Sequence, residues 1–287
     1  MPYRSLVGTT VVAAALIATL AAAQAFDQSK YPDLKGQWVR GRVPGVTGQP
    51  SYDPTKSQGR AQQAPLIPEY QAIFEANIKE QAAGGQAGDP TYTCLSPGMP
   101  RIMNPYGDME FVITPETTHI LIEHIHDSRR IHTDGRDWPK TYIDPSFQGY
   151  SLGKWSDTDG DGRFDTLEVE TRHFKGPRAF DASGIPLHAD NQTVVKERIH
   201  WDKSNPNALT NELTTIDNAL TRPWSVTKKY VRKADQQPVW FEEVCTEGNG
   251  HVEIAKENYF LSGDGHLMPA KKGQTPPDLR YFTRYAK

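Results

Sequence analysis

After Pro100, several segments of the chain alternate apolar and polar residues with a period of two, a pattern that is typical of β-strands. In residues 118–126, Ile120 and Ile122 fall on one face, while Leu121 and Ile125 fall on the other. The same pattern predicts strands over residues 110–113, 193–201, 209–216, 225–232 and 239–246. Residues 251–260 fit either a helix or a strand.

One segment has helical spacing instead. Pro68 begins a helix that runs to about Gln81, with apolar residues at Tyr70, Ile73, Phe74 and Ile78. The glycines that follow the helix end it. Because too few helices separate the strands for βαβ units, the sequence predicts a mainly β fold. We expect an antiparallel barrel or a strongly curved sheet, with one long N-terminal helix.

The N-terminus has the features of a secretory signal peptide. Arg4 precedes an apolar run from Val11 to Ala23, and an Ala-Gln-Ala sequence ends at Ala25. The run is too short to span a membrane. The sequence therefore predicts a signal peptide at 1–25, an extended arm at 26–66 with a short strand at 37–40, and a single β-rich domain at 67–287. The expected location is the periplasm or the medium.

The chain has two cysteines, Cys94 and Cys245. In an oxidising compartment an even cysteine count favours a disulfide bond. We predict that these two residues are bonded, with two free thiols as the alternative.

Residues 157–168 read DTDGDGRFDTLE and match the twelve-residue calcium loop of EF-hands, with Gly162 at the position of the sharp turn. The predicted Ca²⁺ ligands are Asp157, Asp159, Asp161, the backbone carbonyl of Arg163, Asp165 and Glu168. A glycine-containing segment precedes the loop and a strand pattern follows it. The loop is therefore expected to join a β-hairpin as a structural staple, and a solvated acidic turn is the alternative.

Charge and missing motifs exclude several classes of function. The net charge of −3 argues against nucleic acid as a partner. No long apolar stretch follows the signal peptide, so no membrane insertion is expected after its cleavage. The sequence has no Gly-x-Ser-x-Gly motif, no phosphate-binding glycine loop and no dinucleotide fingerprint. A small molecule is therefore the expected ligand.

Residues 123–136 concentrate histidine, arginine and acidic residues. If they lie on a strand, His124 and His126 point the same way and can hold zinc with a third ligand from His173, His188 or His200. A solvated polar face is the alternative. Arg129, Arg130 and Arg136 can form an anion clamp, or they can pair with the nearby residues Asp127, Asp134 and Asp137.

Two further residues are candidates for proton transfer. Glu197 lies between Val195 and Ile199 on one strand face, so it is expected to face a core or a cavity, where burial raises a carboxyl pKa. His188 lies beside Asp190, which can orient its ring. The alternatives are that Glu197 is the buried partner of an arginine and that His188 belongs to a surface pair.

Together, these patterns predict a calcium-binding protein that binds or acts on a small organic molecule by acid–base chemistry without a redox cofactor. The reaction would be of the hydrolase, lyase or isomerase type, with His188 and Glu197 transferring protons and Arg129 or Arg130 holding an anionic group. The alternative is a non-catalytic, secreted ligand- or carbohydrate-binding module stabilised by calcium.

Two resemblances bear on the fold. Gly36-Gln37-Trp38 is similar to the Gly-x-Trp that begins the first strand of lipocalins, in which an arginine packs over the tryptophan. The expected arginine here is Arg280 or Arg284. The chain also resembles a family of secreted bacterial β-rich proteins without an assigned activity. The similar segments are residues 33–38, 94–101, 129–136, 149–155, 197–198 and 221–224. The calcium loop follows Trp155 as an insertion in that pattern, and the resemblance implies no catalytic residue.

Overall fold

The computed structural model describes residues 26–41, 64–85, 87–234, 239–242, 245, 251–254, 256–262 and 266–275. The predicted signal peptide at 1–25 lies outside these ranges. One α-helix, α1, spans Pro68–Ala82. The strands of the described ranges are β1 (Gln37–Arg40), β2 (Met109–Ile113), β3 (Thr117–Ile122), β4 (Asp127–His132), β5 (Tyr150–Ser156), β6 (Thr166–Arg172), β7 (Val194–Trp201), β8 (Ala208–Ile216), β9 (Trp224–Arg232), β10 (His251–Ile254), β11 (Glu257–Leu261) and β12 (Leu267–Pro269).

Strands β1 to β9 form a closed barrel in sequence order, and β9 pairs with β1. A closed ring with an odd number of strands cannot have antiparallel neighbours throughout, so one pair must be parallel. That pair is β4 and β5, which align Ile131 with Ser151 and His132 with Leu152. The predicted barrel is confirmed, whereas an entirely antiparallel arrangement is wrong at this pair.

The predicted helix is present and extends one residue beyond its predicted end, but with 15 residues it is short, so the prediction of a long helix is not confirmed. Pro68 occupies its first turn, where the missing backbone N–H is not needed. Tyr70 and Phe74, four residues apart, are its buried side chains. The predicted strand at 37–40 is also present as β1. It lies between β2 and β9 as a barrel strand, although the prediction placed it in a separate arm.

Two strand predictions need correction, and one open alternative is settled. The strand predicted at 118–126 ends at Ile122, and a 3-10 turn follows at His124–His126, where Ile125 adopts a φ of 60°. Val239–Glu242, the described start of the strand predicted at 239–246, is not in a strand. The ambiguous segment 251–260 forms the two antiparallel strands β10 and β11, and β11 also pairs with β12 to complete a second, three-stranded sheet.

Every second residue of the barrel strands points into the barrel interior. Along β9 the residues from Trp224 alternate between buried and more exposed positions. Trp38 of β1 is fully buried, and the guanidinium carbon of Arg232 lies 4.6 Å from its ring centroid. An arginine therefore stacks on this tryptophan. It comes from β9, while Arg280 and Arg284, the expected partners, lie outside the described residues.

The N-terminal segment is packed against the barrel by aromatic contacts. The ring of Tyr31 meets Trp155 edge-on at 5.7 Å and lies 5.0 Å from Phe164 of the loop between β5 and β6. The backbone N–H of Phe164 also donates to the carbonyl of Lys30 at 2.7 Å. The position of this segment is thus linked to the predicted calcium loop.

Cys94 and Cys245 form a disulfide bond, as predicted, with their Cα atoms 5.6 Å apart. Cys94 adopts a left-handed backbone conformation at the end of a short 3-10 turn. The bond joins residues 151 positions apart and so closes a very long loop. Among the described helices, none has the length and apolar character needed to cross a membrane.

Candidate functional site

The predicted calcium loop joins β5 to β6 as a hairpin connection. Carboxylate oxygens of Asp157, Asp159 and Asp165 all lie within 4.8 Å of one another. Two oxygens on opposite sides of a Ca²⁺ ion, each about 2.4 Å from it, are about 4.8 Å apart, so this spacing suits such an ion. Gly160 and Gly162 have φ values of +77° and +88°, which allow the tight turns. The three carboxylates can hold a metal ion.

The loop backbone organises these carboxylates. The N–H groups of Gly160 and Gly162 donate to Asp157 at 2.7 and 2.8 Å. The hydrogen bond from Gly162, together with that from Gly160, holds the pKa of Asp157 below its usual value. Asp165 is buried and accepts hydrogen bonds from the Thr158 and Thr166 hydroxyls. Both carboxylates are therefore favoured in the ionised form that a metal requires.

A lysine from outside the loop also supplies positive charge. Lys203 follows β7, and its Nζ lies 2.7 Å from Asp159 and 2.7 Å from Asp161. It lies 3.8 Å from Asp165 and also contacts the Arg163 carbonyl at 3.4 Å. The ammonium thus contacts several of the oxygens that were predicted to bind calcium. Lys203 was missed by sequence reasoning, because only the β6–β7 pairing brings it to the loop.

Two of the predicted carboxylate ligands fall outside the three-carboxylate group. Asp161 is turned to Lys203. Glu168 is exposed on β6, where its backbone is paired with Lys154 and Arg198. A strand rises by about 3.3 Å per residue, so three residues carry Glu168 about 10 Å beyond Asp165. In an EF-hand the last ligand lies at the start of a helix, which brings it back towards the ion.

Inside the barrel, Arg129 of β4 and Glu197 of β7 form a buried ion pair. Both side chains have 0% exposure. The Arg129 guanidinium donates to both carboxylate oxygens of Glu197, to one of them at 3.0 Å, and to the Thr171 hydroxyl at 2.9 Å. Asn211 of β8 donates a further hydrogen bond to Glu197 at 2.9 Å. The prediction that Glu197 faces the interior is confirmed by its burial.

Three polar atoms of the barrel interior lack a hydrogen-bond partner among the described residues. They are the Arg129 Nε, the Asn211 Oδ1 and the Thr215 Oγ1, all inaccessible to solvent. Buried polar groups are usually paired with protein or ordered water, and an unpaired one costs about 1–3 kcal/mol. The barrel interior thus offers a guanidinium edge, an amide oxygen and a hydroxyl to polar atoms of a small molecule or of water.

Lys228 of β9 also points into the barrel. It is directly cross-strand from Asn211 and only 9% exposed. Its Nζ lies 5.1 Å from the centroid of the Phe180 ring. Burial lowers the pKa of Lys228 to about 8, against a smaller opposing effect of Asp181. The sequence analysis missed this lysine. The period-two pattern along β9 could have placed it on the inward face, which it shares with Trp224, Val226 and Tyr230.

The other predicted catalytic residues do not join the interior cluster. Arg130 follows Arg129 on a strand and therefore points outwards, where it is exposed. The predicted clamp of neighbouring arginines is therefore not formed, and Arg136 pairs with Asp134 at 2.6 Å.

His188 lies in the segment between β6 and β7, a third exposed, and its ring stacks on Tyr70 at 5.2 Å. It lies 3.1 Å from Asp190, the neighbour that was predicted to orient it. Its backbone N–H donates to Asp217. Of the two residues proposed for proton transfer, only Glu197 lies in the interior cluster.

The predicted zinc site loses its geometric basis. His124 and His126 lie in a 3-10 turn and not at alternate positions of a strand. Across the described part of the chain, the one group of three or more metal-ligating side chains is that of Asp157, Asp159 and Asp165.

Two grooves lie outside the interior cluster. One, of about 790 Å³, is lined by residues 27–35 together with Phe111, Ile113, Gly162 and Arg163. The other, of about 670 Å³, runs over the outer faces of β5 to β8 below residues 133–136. Its charged side chains have both signs and alternate across the strands, so it has no single charge preference.

The chain was also compared with known proteins. No protein-family model matches it, and the search of curated proteins finds no similar sequence.

Proposed function

We propose that this protein is an exported, calcium-stabilised barrel that binds a small polar organic molecule in its interior. The observation that carries the proposal is the set of unpaired buried atoms on Arg129, Asn211 and Thr215. A closed barrel of modest strand number has an interior of a size that suits one small ligand. A ligand with both hydrogen-bond donors and acceptors would complete the hydrogen bonding of these atoms.

Binding without proton transfer is the form of this function that the geometry favours. The carboxylate of Glu197 accepts hydrogen bonds at both oxygens from Arg129 and one more from Asn211. Both oxygens of this carboxylate are therefore already engaged by donors of the protein itself. His188 lies in a different cluster, with Tyr70, Asp190 and Asp217. Hydrolase, lyase or isomerase chemistry by Glu197 and His188 remains a prediction from the sequence alone.

Calcium is the metal that best fits the loop between β5 and β6. The donors are hard carboxylate oxygens, which suit Ca²⁺ better than zinc. The sequence spacing of Asp157, Asp159 and Asp165 follows the EF-hand pattern, and the three carboxylates converge. An exported location fits both the N-terminal sequence and the Cys94–Cys245 bond, because disulfides persist in oxidising compartments.

A thermal-shift screen tests the binding proposal. The mature protein would be heated with a panel of small carboxylic acids, hydroxy acids, amides and sugars. A ligand at about 100 times its Kd stabilises the folded state by about 2.7 kcal/mol, which raises the Tm of a chain this long by several degrees. The interior assignment is tested by repeating the titration with each hit on Asn211→Leu and Thr215→Val.

Thr214→Val is the matched control, because Thr214 is the neighbour of Thr215 on the outer face of the same strand and bonds Ser225 there. Loss of binding in the interior variants but not in the control supports the proposal. Equal binding in all variants would show that the ligand lies elsewhere. Two results together would refute ligand binding: no compound of the panel raises the Tm, and a crystal structure shows only ordered water bonded to the unpaired atoms.

The calcium assignment is tested separately. Unfolding would be followed by circular dichroism in the presence of calcium and of EGTA, with the metal content of the same sample measured. We expect calcium to raise the Tm and Asp157→Asn to weaken this effect. Asp202→Asn is the control, since Asp202 caps a neighbouring turn through Ser204 and is outside the three-carboxylate group. An unchanged Tm with calcium would reject the assignment.

A further inference from the structure

Lys228 places an amine on the inward face of the barrel. On the inward face of β9 it lies between Val226 and Tyr230, and only 9% of its surface is exposed. Within the described residues its amine forms neither an ion pair nor a hydrogen bond, and its contact is with the face of Phe180. A buried ammonium without a paired anion is costly, whereas a neutral amine is far less so.

Charged groups of both signs lie around Lys228. Asp181 and Glu197 favour its ammonium form, while Arg101 and Arg40 disfavour it. Burial is the largest influence and lowers the pKa of Lys228 to about 8. At neutral pH a substantial fraction of this amine therefore carries a free electron pair, which an ordinary lysine with a pKa of about 10.4 does not.

A polar group suited to a reacting carbonyl compound lies next to this amine. Asn211, the cross-strand neighbour of Lys228, has an Oδ1 without a hydrogen-bond donor among the described residues. Its Nδ2 is fixed by Glu197, so the Oδ1 cannot exchange places with the donor without breaking that bond. An amide oxygen held in this position can accept a hydrogen bond from the hydroxyl of a carbinolamine.

We propose that Lys228 is a reactive amine of the barrel interior that forms an imine with a small aldehyde or ketone. The Nζ electron pair attacks the carbonyl carbon, a C–N bond forms, and the carbonyl oxygen takes up a proton to give a carbinolamine. The hydroxyl then leaves as water together with a second proton from the nitrogen, and the C=N bond of the imine forms. Water reverses the step, so no oxidant or reductant is needed.

This inference rests on the proposed function, because it names a carbonyl compound as the class of ligand in the same interior. The test uses the wild-type protein, propanal as the probe and cyanoborohydride to trap any imine as a stable secondary amine. Labelling would be followed lysine by lysine by peptide mass spectrometry between pH 6.5 and pH 10. Lys229, the exposed neighbour on the same strand, gives the reference rate.

We expect Lys228 to be labelled about tenfold or more faster than Lys229 near pH 7.5, since a pKa lowered from about 10.4 to about 8 raises the neutral fraction by more than a hundredfold. The rate at Lys228 should level off above about pH 8. Lys228→Arg, which keeps a positive charge but has no free amine, should abolish the trapped adduct at position 228 and leave the labelling of Lys229 unchanged.

Failure to label Lys228 in the folded protein, with normal labelling after denaturation in guanidinium, would overturn the imine proposal. So would labelling at the rate of Lys229 with no levelling near pH 8. Either outcome leaves the binding proposal standing if the thermal-shift hits still depend on Asn211 and Thr215. Failure of those hits, with fast labelling of Lys228, would instead show an accessible reactive amine without a selective binding site.

Discussion

Replacing Glu197 by Gln removes one charge from an ion pair that is entirely buried. Arg129 would keep its positive charge, and the carboxylate that accepts from two of its nitrogens would become a neutral amide. Both side chains have 0% exposure, so water cannot compensate. Breaking a buried pair in this way typically costs about 3–5 kcal/mol. We expect a loss of that size in the free energy of unfolding.

Urea unfolding, followed by tryptophan fluorescence at pH 7, measures this loss as a lower midpoint with little change in slope. The double variant Arg129→Met/Glu197→Leu removes both charges and should recover most of the loss, because an apolar pair avoids the desolvation penalty. Glu170→Gln is the matched control, since Glu170 pairs with Arg172 at the surface and such pairs contribute about 0–1 kcal/mol. A cost below about 1 kcal/mol for Glu197→Gln would refute the argument that this pair is desolvated.

Three further variants test other parts of the structure. Lys203→Met should tighten calcium binding about tenfold in a calorimetric titration, because it removes the ammonium that contacts Asp159 and Asp161; unchanged affinity would show that the ammonium does not compete. Replacing both Cys94 and Cys245 by Ala should lower the free energy of unfolding by about 5 kcal/mol, because the disulfide no longer restricts so long a loop in the unfolded chain. A loss of less than about 1 kcal/mol, measured by urea unfolding, would contradict that estimate. In the wild type, the free energy of unfolding should rise by up to about 3 kcal/mol between about pH 8 and pH 10.4, because the unfolded chain keeps the Lys228 proton over that range while the folded chain has released it. Lys228→Met should lack this rise. Parallel curves of unfolding free energy against pH for the two proteins would contradict the lowered pKa.

Local patterns in the sequence predicted the helix and the strands better than the turns that connect them. The alternation along β7 placed Glu197 inside the barrel, and the apolar spacing after Pro68 located α1, because both depend on periods that are visible in the sequence. The strand predicted through His126 failed, since the apolar pattern continues past Ile122 and does not show that Ile125 adopts a positive φ. A turn of this kind is set by the tertiary fold.

The candidate sites depended on contacts that no short window of sequence contains. Arg129 was identified, but its partner Glu197 lies 68 residues away, across the barrel. Lys203 reaches the calcium loop from the end of another strand, and Lys228 takes its chemistry from burial. Glu168 was misplaced for a related reason. The EF-hand spacing assumes a helix after the loop, and the strand that follows here carries the residue away.

The two shortest strand pairings of the barrel divide it into unequal parts. Strand β2 is joined to β1 through two residue pairs, and β4 is joined to β5 through two, whereas β5 and β6 share seven. The three strands β2 to β4 are therefore paired only weakly to the rest of the barrel along both edges. Arg129, on β4, is joined across the interior to Glu197 by the ion pair. A molecule that competed with Glu197 for the guanidinium would therefore remove one of the links between these three strands and the rest of the barrel.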